Sequence, residues 1–410
     1  MNKSLFLLSP FFLAFQASAV ELTPITVPSN EGASLSRLST QPTNAQSEHT
    51  LISWVEEKDN TATLYFSRFQ ANRWSSPTIV SSGTNWFNNW ADFPSVMSQG
   101  KTMVAHWLPM TNQGTYDYRI DVAESSDNGK TWSKPFTPHT DGVDAEHGFV
   151  TMLPYKNNTS DGNSNSTFIT WLDGRFTKTD VHNSHNDHEQ NSHDHSSGGA
   201  MTLRAATFKN GQLNQEWELD NRVCDCCTTA AANTDKGVIV AYRDRTEDEI
   251  RDINVLRLID GQWLPASQLP SDNWKIAGCP VNGPALDAKG NLVSLAWFTT
   301  VDKKPTVKVA LSHDSGDHFS DAIIVSQKTI GRVDSVIHND HVIVSYLENN
   351  GSKVNLVLSR YSLKGKFVDS NVITTLSPKR STGFPTLTVD NGVLLVAWND
   401  TRVHTVAVRY

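Results

Sequence analysis

Three of the four cysteines stand within four residues, in Val223-Cys224-Asp225-Cys226-Cys227-Thr228, and Cys279 follows about one structural repeat later. Sulfur at this density can do three kinds of chemistry. It can form disulfides, ligate a soft metal such as copper or zinc, or serve as a reactive redox thiol. Four cysteines allow three pairings. A bridge between Cys224 and Cys226, or between Cys226 and Cys227, strains a geometry that prefers Cα atoms about 4.4–6.8 Å apart. Cys279 is the relaxed partner. One bridge to it leaves two thiols over, and their use stays open. A carboxylate such as Asp225 raises a neighbouring thiol pKa unless a cation is present, so functional thiols here argue for a metal.

A second cluster is imidazole-rich. His182, His185, His188, His193 and His195 sit among Asn, Asp and Ser, within an insertion at 177–199. Such a tract suits copper, zinc or nickel, although its irregular spacing implies no single geometry and a solvated loop is the plain alternative. Arg175, Arg245, Arg251 and Arg402 offer guanidinium forks for a carboxylate, with Asp244 and Asp400 beside them.

These residues need a scaffold, and the sequence repeats one. An apolar run ending in an aromatic residue recurs at Trp54, Trp107, Trp171, Tyr242, Trp297, Tyr346 and Trp398, spaced 53, 64, 71, 55, 49 and 52 residues. A short strand precedes each run, and two more follow each of the first six. Four strands per repeat at this period predict an all-β, seven-bladed β-propeller. The last repeat lacks a strand, and Leu22–Val27 should supply it and close the ring. In such a ring, loops leading into the first strand of a blade share a face with those joining its second and third strands. The cysteines, Cys279, His147, Arg175, Arg245, Arg251, Arg402 and the His-rich insertion all map to that face.

Residues 1–19 have a basic start, an apolar run and a small-residue Ala-Ser-Ala site, the pattern of a secretory signal peptide. That predicts an exported protein, periplasmic or extracellular, with residues 20–410 as one domain. No second apolar run suggests a membrane span. A net charge of −8 without a basic stretch argues against a nucleic-acid partner.

Two turns carry a finer signature. Ser125-Ser126-Asp127-Asn128-Gly129-Lys130-Thr131-Trp132 and Ser312-His313-Asp314-Ser315-Gly316-Asp317-His318-Phe319 resemble the Asp boxes, or BNR repeats, of the sialidase superfamily. As a whole the chain resembles exported sialidase-family proteins with a Cys-Asp-Cys-Cys stretch. The resemblance implies structural roles for Asp127 and Asp314, and admits a six-bladed ring as the alternative. It also implies a possible glycosidase, with three arginines on a substrate carboxylate, a Tyr–Glu nucleophile pair and an Asp acid/base. Arg245, Arg251 and Arg402 should then converge on one pocket. Arg37 is followed by Leu-Ser where that family usually carries Ile-Pro. The leading reading is metal binding through Cys and His. A sialidase-type hydrolase acting on a glycan and a protein-interaction scaffold are the alternatives.

Overall fold

The runs that end in an aromatic residue, such as Gly237–Arg243 and Val393–Asn399, are buried along nearly their whole length. Strands covered on both faces read as continuous apolar runs, because packing presses on either side of the sheet. Gln212–Asp220 (QLNQEWELD) is instead exposed or half-buried throughout, as an outer strand should be. This computed structural model describes residues 20–41, 49–99, 102–156, 165–178 and 199–410. The expected leader at 1–19 and the five histidines of the insertion lie outside the described residues.

The described strands form seven antiparallel sheets. Their innermost strands are Ser34–Gln41, Ser95–Gln99, His147–Lys156, Ala230–Thr234, Ala285–Lys289, Thr329–His338 and Thr386–Asp390. Each of these contacts the next, and the last contacts the first, so the ring is closed with seven blades. The core is correspondingly divided. Seven apolar clusters each join two neighbouring blades, one cluster per interface. Polar side chains stitch the same interfaces from the inner strands and the loops leading into them. Asp287 accepts from the Ile337 N–H at 2.7 Å, Asp334 from the Leu387 N–H at 2.7 Å, and Asp92 from the Phe149 N–H at 2.8 Å.

At two of the seven repeats the aromatic residue is bonded to the acid that stands two positions behind it. The Trp54 indole donates to Glu56 at 2.9 Å and the Trp171 indole to Asp173 at 2.9 Å. A buried indole N–H left without an acceptor would be costly, so the acid two residues later completes the aromatic position.

Ring closure is as expected. Glu21–Ile25 pairs antiparallel with the final strand, Glu21 opposite Arg409 and Ile25 opposite Thr405. Blade 2 departs from the expected four strands. It holds three, Ser95–Gln99, Thr102–Trp107 and Asp121–Ser125, with only an isolated bridge from Val122 to Phe136 at its outer edge. Val122 and Phe136 exchange both backbone bonds, at 2.8 and 2.9 Å, and the Ser133 N–H reaches the Glu124 carbonyl at 2.8 Å, so the outer segment follows this edge through a few bonds without forming a regular strand.

The two signature turns are built alike. Asp127 accepts from the Thr131 N–H at 2.9 Å and its hydroxyl at 2.7 Å. Asp314 accepts from the His318 N–H at 3.0 Å and pairs with its ring at 2.8 Å. Gly129 and Gly316 hold φ of 78° and 80°, and a Cβ there would meet Phe66 at 2.5 Å or Ile239 at 2.2 Å. The turns demand glycine for conformation and for room.

A cavity of about 270 Å³ lies on the axis, walled by all seven inner strands and carrying Arg37, Asp287 and Asp334. The cysteines do not line it. They sit outward of the axis, between blades 4 and 5.

Candidate functional site

The cysteine loop is pinned at its start. The Val223 N–H donates to Met201 at 2.9 Å and the Cys224 N–H to Arg243 at 3.0 Å, tying the loop to the joins of blades 3 and 4. Cys226 is bridged to Cys279 with Cα atoms 6.0 Å apart. Cys224 and Cys227 are free thiols, buried at 0% and 2% exposure. Their sulfurs are 3.3 Å apart, and Cys224 Sγ is 3.8 Å from Cys226 Sγ. The reading of the sequence therefore located the bridge partner correctly, but did not pair Cys224 with Cys227. That signal was present, since cysteines three positions apart in a turn can face one another.

The cation that Asp225 calls for is already on the chain. Arg251 Nη1 lies 3.4 Å from Cys224 Sγ and 3.3 Å from Asp225 Oδ1. Burial would raise the Cys224 thiol pKa, but the Cys227 hydrogen bond and the charges of Arg251 and Arg243 bring it down to about 7. Cys227 goes the other way, raised by burial and by its neighbour Cys224. A guanidinium thus supplies the cation that a thiolate beside Asp225 calls for.

Arg251 and Arg245 share acidic partners. Arg245 Nη2 reaches Glu249 at 2.6 Å and Arg251 Nη2 at 2.8 Å, with Asp225 within 3.9 Å of Arg245 Nη1. Arg243 is fully buried and donates to the carbonyls of Asn282, Arg251 and Phe298 at 2.6–3.0 Å. It holds the join of blade 4 against the loop that carries Cys279. Asp244 sits on this join and accepts from the Arg245 N–H at 2.7 Å. Burial and the charge of Asp220 push its carboxyl up to about 6.

Beside the cysteines is a group that sequence reasoning missed. The Tyr118 hydroxyl lies 2.7 Å from Asp92 Oδ2 and 3.0 Å from Glu146 Oε1. Burial pushes the Asp92 carboxyl up to about 7. Burial and the charge of Asp92 push Glu146 up to about 8, and Asp225 and Cys224 add to the rise. Glu146 retains partial exposure and Asp92 is only 2% exposed, so Asp92 is the firmer case. These two carboxyls hold protons near neutrality and face one phenol. They are far apart in sequence, on loops with no motif, so only the blade count could have brought them together.

A third group adjoins. His139 and His147 stack at 3.8 Å, and Asp141 Oδ2 lies 3.1 Å from His139 Nδ1 and 3.2 Å from His147 Nε2. His139 Nε2 accepts from the Ile120 N–H at 3.3 Å, which leaves the proton on Nδ1. Burial lowers the His139 pKa. Burial pulls His147 down too, but the Asp141 hydrogen bond and the charges of Asp173 and Asp141 outweigh it and raise the net value. Arg175 clamps Asp173 through two bonds of 2.7 Å, so its guanidinium is spent within blade 3.

All of these residues lie on loops leading into a blade or joining its second and third strands, the shared face that strand counting predicted. The arginines do not converge as the hydrolase reading required. Arg245 and Arg251 meet, whereas Arg402 donates to the Val27 and Ser29 carbonyls at the boundary of blades 7 and 1. Val27 and Ser29 link the closing strand of blade 7 to blade 1, and Arg402, on the turn between the last two strands, caps their backbone acceptors. Asp400 shares this turn, its N–H bonded to the Arg402 carbonyl at 3.0 Å. His182, His185, His188, His193 and His195 lie outside the described residues.

No family model matches the chain, and no curated protein does. Solved structures do resemble it. One is the NanB sialidase from Streptococcus pneumoniae, at 13% identity over 88% of this chain and 82% of that one, TM-score 0.46. Another is a GH93 α-L-arabinofuranosidase of Fusarium graminearum, at 10% identity over 80% and 95%, TM-score 0.48. A neuraminidase-like protein from A/bat/Guatemala/164/2009 is at 11% identity over 94% and 93%, TM-score 0.44. Identities this low, with TM-scores below 0.5, say nothing about activity.

Proposed function

We propose that the protein binds a soft transition metal, copper(I) ahead of zinc(II), through the thiols of Cys224 and Cys227. The observation that carries this is the 3.3 Å separation of two buried, unbridged sulfurs. Thiolates favour both ions. Zinc prefers four donors, and with Cys226 held by Cys279 only two thiols remain. Two thiolates on copper(I) make a unit of charge −1, which Arg251 can balance from 3.4 Å. For zinc, a bond of about 2.3 Å at a tetrahedral angle would put bound sulfurs about 3.8 Å apart, so the pair would have to open by about half an ångström; copper(I) held by two thiolates alone, being near linear, would require a wider opening. His182, His185, His188, His193 and His195 would raise capacity more than affinity. The Cys226–Cys279 bridge and the leader expected at 1–19 support export, where disulfides persist. Elemental analysis of protein purified from its native compartment, with a free-thiol count, tests the reading. Copper or zinc that survives in Cys224→Ser at the wild-type amount would end it.

Tyr118 favours a second reading, a sialidase-type hydrolase acting on a glycan. Tyr118, Glu146 and Asp92 supply the tyrosine, glutamate and aspartate that such a hydrolase uses, but the phenol is fully buried and Glu146 holds its proton near neutrality, so catalysis would need the site to open and Glu146 to ionise. Hydrolysis of α-linked sialosides by the wild type and not by Tyr118→Phe would support it. Absence of hydrolysis would remove it.

A further inference from the structure

We infer that the four cysteines form an internal thiol–disulfide relay, able to move the disulfide from Cys226–Cys279 to Cys224–Cys227. The inference rests on sulfur positions and stands whether or not a metal binds. Cys224 Sγ is the shared neighbour, 3.8 Å from the bridged Cys226 Sγ and 3.3 Å from the free Cys227 Sγ. Three of the sulfurs thus lie within reach of one another, and the fourth is the leaving group of the first step. The burial gradient gives the relay a direction. Cys224 and Cys227 are enclosed, Cys226 is half-buried, and Cys279 is exposed. An outside thiol or disulfide therefore meets the relay most readily at Cys279.

The exchange balances without an added oxidant. Cys224 attacks as the thiolate, the Cys224–Cys226 bond forms, and the Cys226–Cys279 bond breaks. Cys279 leaves as a thiolate and takes a proton from solvent. Cys227 then gives its proton to solvent and attacks Cys224 Sγ, and Cys226 leaves as a thiolate. Two electrons have passed from the Cys224/Cys227 pair to the Cys226/Cys279 pair. In the starting state the buried thiols are reduced and available. In the product they are locked in a disulfide, and two thiols stand at the surface end.

The test drains the exposed end. The oxidised full-length protein is incubated at neutral pH with N-ethylmaleimide and a copper chelator, then acid-quenched, digested without reduction and mapped. The relay predicts alkyl label on Cys279 and Cys226 together with a Cys224–Cys227 disulfide. In C227S the exchange should stop half-way, giving a Cys224–Cys226 disulfide and labelled Cys279. In C224S, shown by circular dichroism to be folded, Cys279 label should be lost. The inference is overturned if Cys226–Cys279 persists unlabelled in the wild type, or if C224S labels Cys279 as fast as the wild type. The chelator removes metal from the assay, so failure of the metal reading cannot imitate failure of the relay.

Discussion

Replacing Asp92 with Asn should flatten the dependence of stability on pH. The Asp92 carboxyl is 2% exposed and its pKa is raised by burial from 3.8 to about 7. That rise of about 3 units, at about 1.4 kcal/mol each, amounts to about 4 kcal/mol. The sign follows from where the proton sits. Below about pH 4 both states hold it and nothing is lost. Between about 4 and 7 the folded state holds it and the unfolded state does not, so stability falls as pH rises. Above that window both are ionised and the full cost is present. In Asp92→Asn the side-chain oxygen can still accept from the Phe149 N–H, now at 2.8 Å, and Tyr118 can direct its proton to Glu146 at 3.0 Å. The proton is removed from the balance while the contacts survive. Urea unfolding at pH 5, 6, 7 and 8 should show a wild-type slope steeper than the variant's by up to about 1.4 kcal/mol per pH unit. Parallel profiles for the two proteins would refute the assignment of a buried, proton-holding Asp92.

Three other outcomes follow. Arg251→Gln removes the cation 3.4 Å from Cys224 Sγ, so the pH midpoint of the Cys224 thiolate's ultraviolet absorbance should move up from about 7; an unchanged midpoint would show that Arg251 does not stabilise the thiolate. Deleting residues 20–28 bares the edge of Val403–Arg409, and should lower the thermal midpoint and promote association seen by size exclusion. A truncated chain with wild-type stability would deny that closure matters. Asp314→Ala loses its bonds to Ser312 and His318 and should lower the thermal midpoint while leaving copper binding unchanged; a variant of native stability that no longer binds copper would reverse the structural reading of that turn.

The architecture was legible because blade geometry writes itself at fixed spacing. The aromatic-ended runs must be buried on both faces, so they cannot drift in composition, and seven of them gave seven blades. The missing strand of the last repeat pointed directly at Leu22–Val27. Blade 2 misled because its outer segment around Phe136 keeps the apolar pattern of a strand but only a few backbone bonds to the edge. The site was legible only in part. Cysteine is rare enough that Cys279 stood out as partner, and geometry made bridges between Cys226 and its near neighbours strained, but which of three thiols reached Cys279 depended on loop turns that leave no periodic mark. Arg251 was named as a carboxylate clamp and is instead the counter-charge of a thiol, since its role is set by a neighbour 27 residues away. Asp92, Tyr118 and Glu146 come from three separate loops. Nothing in their local sequence distinguishes them from other loop residues.

The central claim is that Cys224 and Cys227 are metal ligands, and a copper(I) titration under anaerobic conditions against a chromophoric chelator addresses it most directly. The account predicts one tightly held copper(I) per chain in protein with the Cys226–Cys279 bridge intact. It should be retained when residues 177–199 are removed and lost in both Cys224→Ser and Cys227→Ser. Tight binding that survives both serine variants, or that disappears with the His-rich segment alone, would contradict it.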